Sequence, residues 1–359
     1  MARISIFLTS MKVGGAQRIA LNLCTGLIKK GHDVEMLLIE PNGDLIDELP
    51  EEVSIVDLDA SRVATSTIPL RQYLREKTPD VLYSMMIEVN IAAVVAHQFA
   101  SVDTRLVISE HNTPTVSAEG LKDQLVLRLA ALTYPRSDHI VTVSQGVRND
   151  LLDVVDVPGE KVTVIHNPID VERIRKQATE SVEHNWLTDP SISVVMSAGR
   201  HAPQKGFDTL LRAFSRLEDS SARLVLLGEG NETESLRKLA MELGIEDRVD
   251  FPGFVDNPFK YMANADVFVL SSWYEGFGNV LIEAMATGCP VVSTDCPSGP
   301  SEILESGTYG PLVPVKDATA MSDAIEGVLV DPIDESVLAS RADDFSINAV
   351  VEKYEAVLF

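Results

Sequence analysis

The sequence has no apolar run approaching the roughly 20 residues that a bilayer-spanning helix needs. Its opening apolar stretch, Ile4 to Leu8, is too short for the core of a signal peptide. Cysteine is scarce: Cys24, Cys289 and Cys296 are an odd set without paired metal-ligand spacing. A disulfide framework is therefore not expected, and the thiols read as reduced and mostly buried in a cytoplasmic protein. Positive charge is also in deficit, since 30 Lys and Arg face 54 Asp and Glu for a net charge of −24. This argues against a nucleic-acid partner, because phosphate binding normally needs a basic surplus. Low-complexity tracts are absent, and 45% apolar with 23% charged residues describes a chain that is globular throughout.

The acidity is uneven, with 18 basic and 25 acidic residues up to residue 180 against 12 and 29 beyond it. The first half is thus less repulsive to an anionic membrane or a lipid-phosphate acceptor. A solvated acidic surface, such as a salt-adapted protein carries, is the favoured cause of the overall charge.

At 359 residues the chain fits two domains rather than one core. Short β-rich runs recur between segments of helical periodicity: Ile4–Leu8, Val34–Ile39, Val81–Met86, Leu106–Ser109, Ile140–Ser144 and Val162–Ile165 in the first half. The second half has Ser193–Ser197, Leu224–Gly228, Val249–Phe251, Val267–Ser271, Pro290–Thr294 and Leu312–Val315. Such alternation predicts an α/β fold of two doubly wound parallel sheets. The domains are expected at 1–170 and 191–344, with 171–190 as linker, because Asn167-Pro168 ends a strand and Asp189-Pro190 precedes the next apolar run. Ligands of such sheets bind in a crevice at the strand C-terminal ends, here expected between the domains.

The most informative segment is SSWYEGFGNVLIEAMATG, residues 271 to 288, in which a strand passes through a Gly-rich loop into a helix that Gly288 can end. Loop amides and the helix N-terminus near Gly278 suit a diphosphate. Glu275 in the loop and Glu283, placed two turns into the helix, can address a sugar hydroxyl and both hydroxyls of a ribose. Alternatively, the first caps the helix and the second is an exposed helix residue. Arg200 and Lys205, in the loop GRHAPQKGF after the first strand of the second half, can converge on a pyrophosphate, or can simply be solvated. No Asp-x-Asp metal motif is expected at a strand end, so a metal is not required. The turn Leu227-Gly228-Glu229-Gly230 lacks the third glycine and the acidic ribose ligand of a dinucleotide fingerprint, which sets a dehydrogenase aside. In the first half, Val13-Gly14-Gly15-Ala16-Gln17-Arg18 opens a helix, and its glycines permit close backbone approach to a ligand or only tight turning. His111, in Ser109-Glu110-His111-Asn112, ends a strand and can hydrogen-bond a sugar or phosphate, or serve structure alone.

Taken together, EGFGNVLIEAMATG resembles the E-x7-E signature of the retaining glycosyltransferases of family GT4, and the GR…KGF loop precedes it in the order found there. The resemblance covers essentially the whole chain and implies the GT-B fold, two Rossmann-like domains facing across a cleft. It implies that Glu283 holds the nucleotide ribose, and that Glu275 with Gly276, Phe277, Gly278, Asn279 and Val280 holds the transferred sugar and phosphate. Arg200 and Lys205 become a diphosphate pair that does the work of a metal, so neither metal nor cofactor is expected. Gly228 becomes a phosphate-side turn, with a purely structural turn as its rival, and Val255 a backbone neighbour of the nucleobase. GGAQR resembles the family's GGAER-type loop, which places Gly15 and Ala16 by the donor phosphates and the acceptor. The family commonly has a histidine where His111 stands. DCPSGPSEIL, residues 295 to 304, looks like a variant found in transferases that extend lipid-linked or surface glycans.

The implied donor is a nucleotide diphosphate sugar, UDP-sugar before GDP-sugar, and the implied acceptor a glycan or lipid-linked sugar. The stretch Leu121 to Leu132, flanked by basic residues, could touch the inner face of a membrane, but a core-packed helix is the favoured reading. Residues 345–359 are expected to form a helix that returns to the first domain. Rival functions are a nucleotide-sugar epimerase or a phosphorylase on this fold, or a nucleotide-sugar-binding protein without catalysis.

Overall fold

A computed structural model describes residues 1–116 and 120–359, which divide into two compact units. The first holds 1–169 and 346–359, the second 170–345. The stretch 171–190, expected as linker, falls inside the second unit and includes the helix Val171–Ala178.

The first unit carries β1 (Arg3–Leu8), β2 (Asp33–Leu38), β3 (Ser54–Asp57), β4 (Val81–Met85), β5 (Arg105–Glu110), β6 (His139–Thr142) and β7 (Val162–Val164). They form one parallel sheet in the order β3-β2-β1-β4-β5-β6-β7. Central strands such as β1 and β4 are buried on both faces, which is why they read as unbroken apolar runs. β3 was not expected. It is a four-residue edge strand, mostly exposed, and so lacks the apolar run that betrays the others. It also corrects the metal-motif reading, since Asp57-Leu58-Asp59 stands at its end. There Asp57 Oδ1 accepts from the Asp59 amide at 2.8 Å, closing a local turn. Among the described residues no cluster of three potential metal ligands occurs.

The helix Ile347–Leu358, started by the Ser346 hydroxyl, packs on the helix Gly15–Lys29. A side chain at Gly26 would collide with Ile347 and Val351, so the glycine sets how closely the two helices approach. The helix Leu121–Thr133 contradicts the core-packed reading. Leu121, Leu125, Leu129 and Leu132 are all exposed, and Ala130 is its only buried residue.

The second unit carries β8 (Val194–Ala198), β9 (Arg223–Leu227), β10 (Val249–Gly253), β11 (Val267–Leu270), β12 (Val291–Thr294) and β13 (Leu312–Val313). All pair in parallel in the order β10-β9-β8-β11-β12-β13. Phe207, Phe214, Leu226, Val269 and Ile325 lie in its core. In this sheet the chain runs outward from β8 to β10, then returns to the other side of β8. The loops leaving the paired strands β8 and β11 therefore stand side by side at the strand C-terminal ends, where open α/β sheets bind ligands.

Candidate active site

Those two loops are tied to each other residue by residue. The Trp273 amide donates to the Gln204 carbonyl at 2.8 Å, and the Gln204 side-chain amide donates to the Tyr274 carbonyl at 2.9 Å. The Ser271 hydroxyl donates to the Lys205 carbonyl at 2.7 Å. This lacing brings Lys205 Nζ to 2.6 Å from Glu275 Oε1, and the Ser272 hydroxyl donates to the same oxygen at 2.7 Å. Sequence reading gave Lys205 to the phosphates and Glu275 to the sugar; the structure unites them as one partly buried ion pair. A cation and a carboxylate side by side can meet a phosphoryl oxygen and a sugar hydroxyl at once. Ser272 and Gln204 were missed. Their signal is their placement within three residues of Glu275 and next to Lys205.

Beyond Glu275 the chain enters the helix Asn279–Ala286 through Gly278, which is its N-cap at φ 99° with no side-chain cap. The N-terminal end of the helix, with its partial positive charge, is thus presented beside the loop. Glu283 is the fifth helical residue, just over one turn in rather than two, and is half-buried. The C-terminus closes at Gly288, φ 84°, where the Gly288 amide donates to Met285 O at 3.0 Å and the Cys289 amide to Ala284 O at 3.1 Å. Phe277 buries its ring against Phe345, centroids 5.7 Å apart. Gly276 is buried as well, while Asn279 and Val280 are half-buried. Close behind lies Gly299, at φ 88°, where an added Cβ would stand 1.8 Å from the Phe277 carbonyl oxygen. That contact explains the glycine in Ser298-Gly299-Pro300 as a packing requirement of the loop after β11.

Arg200 is exposed and lines a different part of the tip, a depression shared with Glu229, Glu234, Arg237 and Gly253. Gly228 borders the same depression. Its amide donates to Gly253 O at 2.8 Å, and at φ 112° an added Cβ would lie 2.0 Å from Gly199 O, so this turn has a structural duty of its own. Val255 is half-buried in the loop after β10.

In the first unit, Gly14 caps the helix Gly15–Lys29 in extended conformation, and open space surrounds the place where a Gly15 side chain would sit. Ala16 is half-buried. Arg18 is engaged by Glu48 through both guanidinium nitrogens, one at 3.0 Å, so it is an ion-paired residue rather than a solvated one.

His111 follows β5. The residue keeps some exposed surface, yet its ring is enclosed, and burial alone lowers its pKa to about 4. The imidazole is therefore neutral near pH 7. Its Nε2 lies 2.6 Å from Ser109 Oγ, Ser109 bonds the Tyr83 hydroxyl, and Tyr83 donates to the Tyr354 hydroxyl at 3.4 Å. Nε2 of the neutral ring is thus engaged by the Ser109 hydroxyl, which holds the orientation of the imidazole. Ser109 is legible in hindsight, since residues two apart share a strand face.

With this geometry in place, the chain was compared with known proteins. Residues 13–173 match the profile described as Glycosyltransferase Family 4, and residues 180–346 match Glycosyl transferases group 1. A relative in Campylobacter jejuni is named N-acetylgalactosamine-N,N'-diacetylbacillosaminyl-diphospho-undecaprenol 4-alpha-N-acetylgalactosaminyltransferase. It is 33% identical over 344 residues, covering 92% of this chain and 91% of the relative. The lipopolysaccharide core biosynthesis glycosyltransferase LpsE of Rhizobium meliloti is 40% identical over 176 residues, 48% of this chain and 51% of its own length. Among solved structures, Anabaena HepE in complex with UDP and glucose superposes with a TM-score of 0.84 at 21% identity, covering 100% of this chain and 99% of that one. That likeness establishes the shared two-domain GT-B fold.

Proposed function

We infer the reaction from one premise: this chain belongs to glycosyltransferase family 4. It moves a hexose or N-acetylhexosamine from a nucleotide diphosphate sugar, UDP-linked before GDP-linked, to a glycan or lipid-linked glycan, with retention at the anomeric carbon. The observation that carries this reading is the Lys205–Glu275 pair, fixed by Ser272 where the loops of β8 and β11 meet.

In this mechanism the departing nucleoside diphosphate is the group whose charge grows in the transition state. Lys205, Arg200 and the N-terminal end of the helix Asn279–Ala286 stabilise it, and no divalent metal is needed. Glu275 holds the transferred sugar, with the backbone from Gly276 to Val280 beside it. Glu283 accepts the ribose hydroxyls, Val255 borders the base and Gly228 the phosphates. In the first unit, Gly15 and Ala16 serve the phosphates and acceptor. His111 hydrogen-bonds a hydroxyl of the sugar.

The test is transfer from UDP-N-acetylgalactosamine, UDP-N-acetylglucosamine, UDP-glucose and GDP-mannose to a polyprenyl-diphosphate-linked N-acetylhexosamine, with and without EDTA. Acceptor-dependent product that survives EDTA is expected. Donor consumption that ignores the acceptor would identify an epimerase or a hydrolase instead, and binding without turnover a non-catalytic protein.

A lipid-linked acceptor asks the enzyme to work at a membrane. Among the described residues no helix is long and apolar enough to cross one. The exposed leucines at 121, 125, 129 and 132, with Lys122, Arg128 and Arg136 alongside, suit peripheral contact with the anionic inner face of the cell membrane. Flotation with vesicles containing phosphatidylglycerol, compared between the wild type and Leu125→Glu/Leu129→Glu, tests this. Equal flotation would rule the helix out.

A further inference from the structure

Next to His111 stands an acid that none of the roles above uses. Glu110 is 3% exposed, and its side chain leaves β5 on the face opposite Ser109 and His111. Among the described residues no ion pair reaches it. It receives hydrogen bonds instead: the Tyr134 hydroxyl donates to Oε1, and the Asn90 side-chain amide donates to the same oxygen at 3.1 Å. That amide also donates to the Ser109 carbonyl at 2.8 Å, while the Ser84 hydroxyl donates to Asn90 Oδ1 at 2.8 Å. Asn90 therefore clamps the last two residues of β5, and Glu110 supplies half of the clamp.

The groups around the carboxyl come from every element packed on it. Tyr134 follows the helix Leu121–Thr133. Asn90 and Glu88 come from the helix Ile87–Ala100, and Lys122, from the first of these helices, pairs with Glu88 at 3.8 Å. Burial, first of all, raises the Glu110 pKa to about 7; the bonds from Tyr134 and Asn90 pull it down, and the charge of Glu88 raises it further.

We propose that Glu110 is a positioning residue for His111, gripping the end of β5 through Asn90 and Tyr134 while ionised and loosening that grip when protonated. The structure places both donors on Oε1, and the ionised acid accepts from them with charge assistance. The protonated acid offers the same oxygen as a neutral acceptor, so both bonds lose their charge assistance and weaken. His111 itself is neutral throughout the physiological range, because its pKa lies near 4. Of these two neighbours, Glu110 is the one that titrates near neutral pH. The inference rests on the glycosyltransferase reading of His111.

The experiment is a pH profile, from about pH 5 to pH 9, of kcat for transfer from UDP-N-acetylgalactosamine to the lipid-linked acceptor. Unfolding midpoints are taken over the same range. For the wild type, kcat should rise roughly tenfold through a midpoint near neutrality. Glu110→Gln should be flat at the acid-limb level, since its amide has the hydrogen-bonding pattern of the protonated acid. Tyr134→Phe, which removes a donor to the carboxylate, should move the midpoint to higher pH. His111→Gln should be slower but keep the wild-type midpoint. A Glu110→Gln profile that retains the wild-type midpoint, or a His111→Gln profile that loses it, overturns the proposal. If the wild type transfers no sugar at any pH, the transferase reading fails separately. The unfolding midpoints then decide whether Glu110 titrates: a pH dependence that Glu110→Gln leaves unchanged overturns the proposal as well.

Discussion

The two units have the same parallel-sheet architecture, yet they equip the C-terminal ends of their strands in opposite ways. The second unit presents ions there: Lys205 bonded to Glu275, Arg200 exposed, and a glycine-capped helix N-terminus. The first presents a neutral histidine held by a buried file of hydroxyls, and hides the acid at the end of β5 behind Asn90 and Tyr134. Similar parallel sheets thus leave the chemistry to loops and strand ends. Under the proposed reaction, charge serves the departing diphosphate and a neutral ring serves a sugar hydroxyl.

The sharpest way to break this contrast is to discharge the second unit. Lys205→Ala should lower kcat by roughly 100- to 1000-fold, on the scale of losing one charge-stabilising group, while binding of the free nucleoside stays near the wild type. Equal turnover would remove the lysine from the reaction. The glycines offer a second contrast. Gly299→Ala should cost about 2 kcal/mol or more in denaturant unfolding and disturb turnover, because its Cβ would overlap the Phe277 carbonyl. Gly15→Ala, with open space around it, should leave stability within about 0.5 kcal/mol, so any loss of rate there reports on ligand approach.

A smaller effect sharpens the first unit's side. The folded Glu110 pKa of about 7 is raised above its ordinary 4.5. The stability it contributes is therefore complete below pH 4.5 and is lost as pH rises through about 7. Unfolding experiments should show that decline in the wild type and its reduction in Glu110→Gln. A stability that rises over the same window through this residue would reverse the assignment.

Much of this was legible in the residues. Every apolar run taken as a strand is one, because strands buried on both faces carry their burial in their composition. β3 escaped since an exposed edge strand needs no such run, and with it went the Asp57-Leu58-Asp59 turn. The helix Leu121–Thr133 misled for the opposite reason: apolar residues at helical spacing imply burial only if something covers them, and its leucines are exposed. At the candidate site, spacing singled out Glu275 and Lys205 but not their ion pair, which depends on two loops 70 residues apart being laced by Gln204, Ser271 and Ser272. Glu110 was read only as part of a strand end. Its significance comes from the Tyr134 and Asn90 donors, which only the folded sheet brings to it.

The claim on which the rest depends is that the second unit holds a nucleotide, with Glu283 on its ribose. Thermal unfolding with UDP and with GDP, in the wild type and in Glu283→Ala, tests it most directly. UDP at about 100 times its Kd should stabilise the wild type by roughly 2.7 kcal/mol, GDP should do less, and Glu283→Ala should show no nucleotide shift. A full UDP shift in Glu283→Ala, or none in the wild type with either nucleotide, would contradict the account.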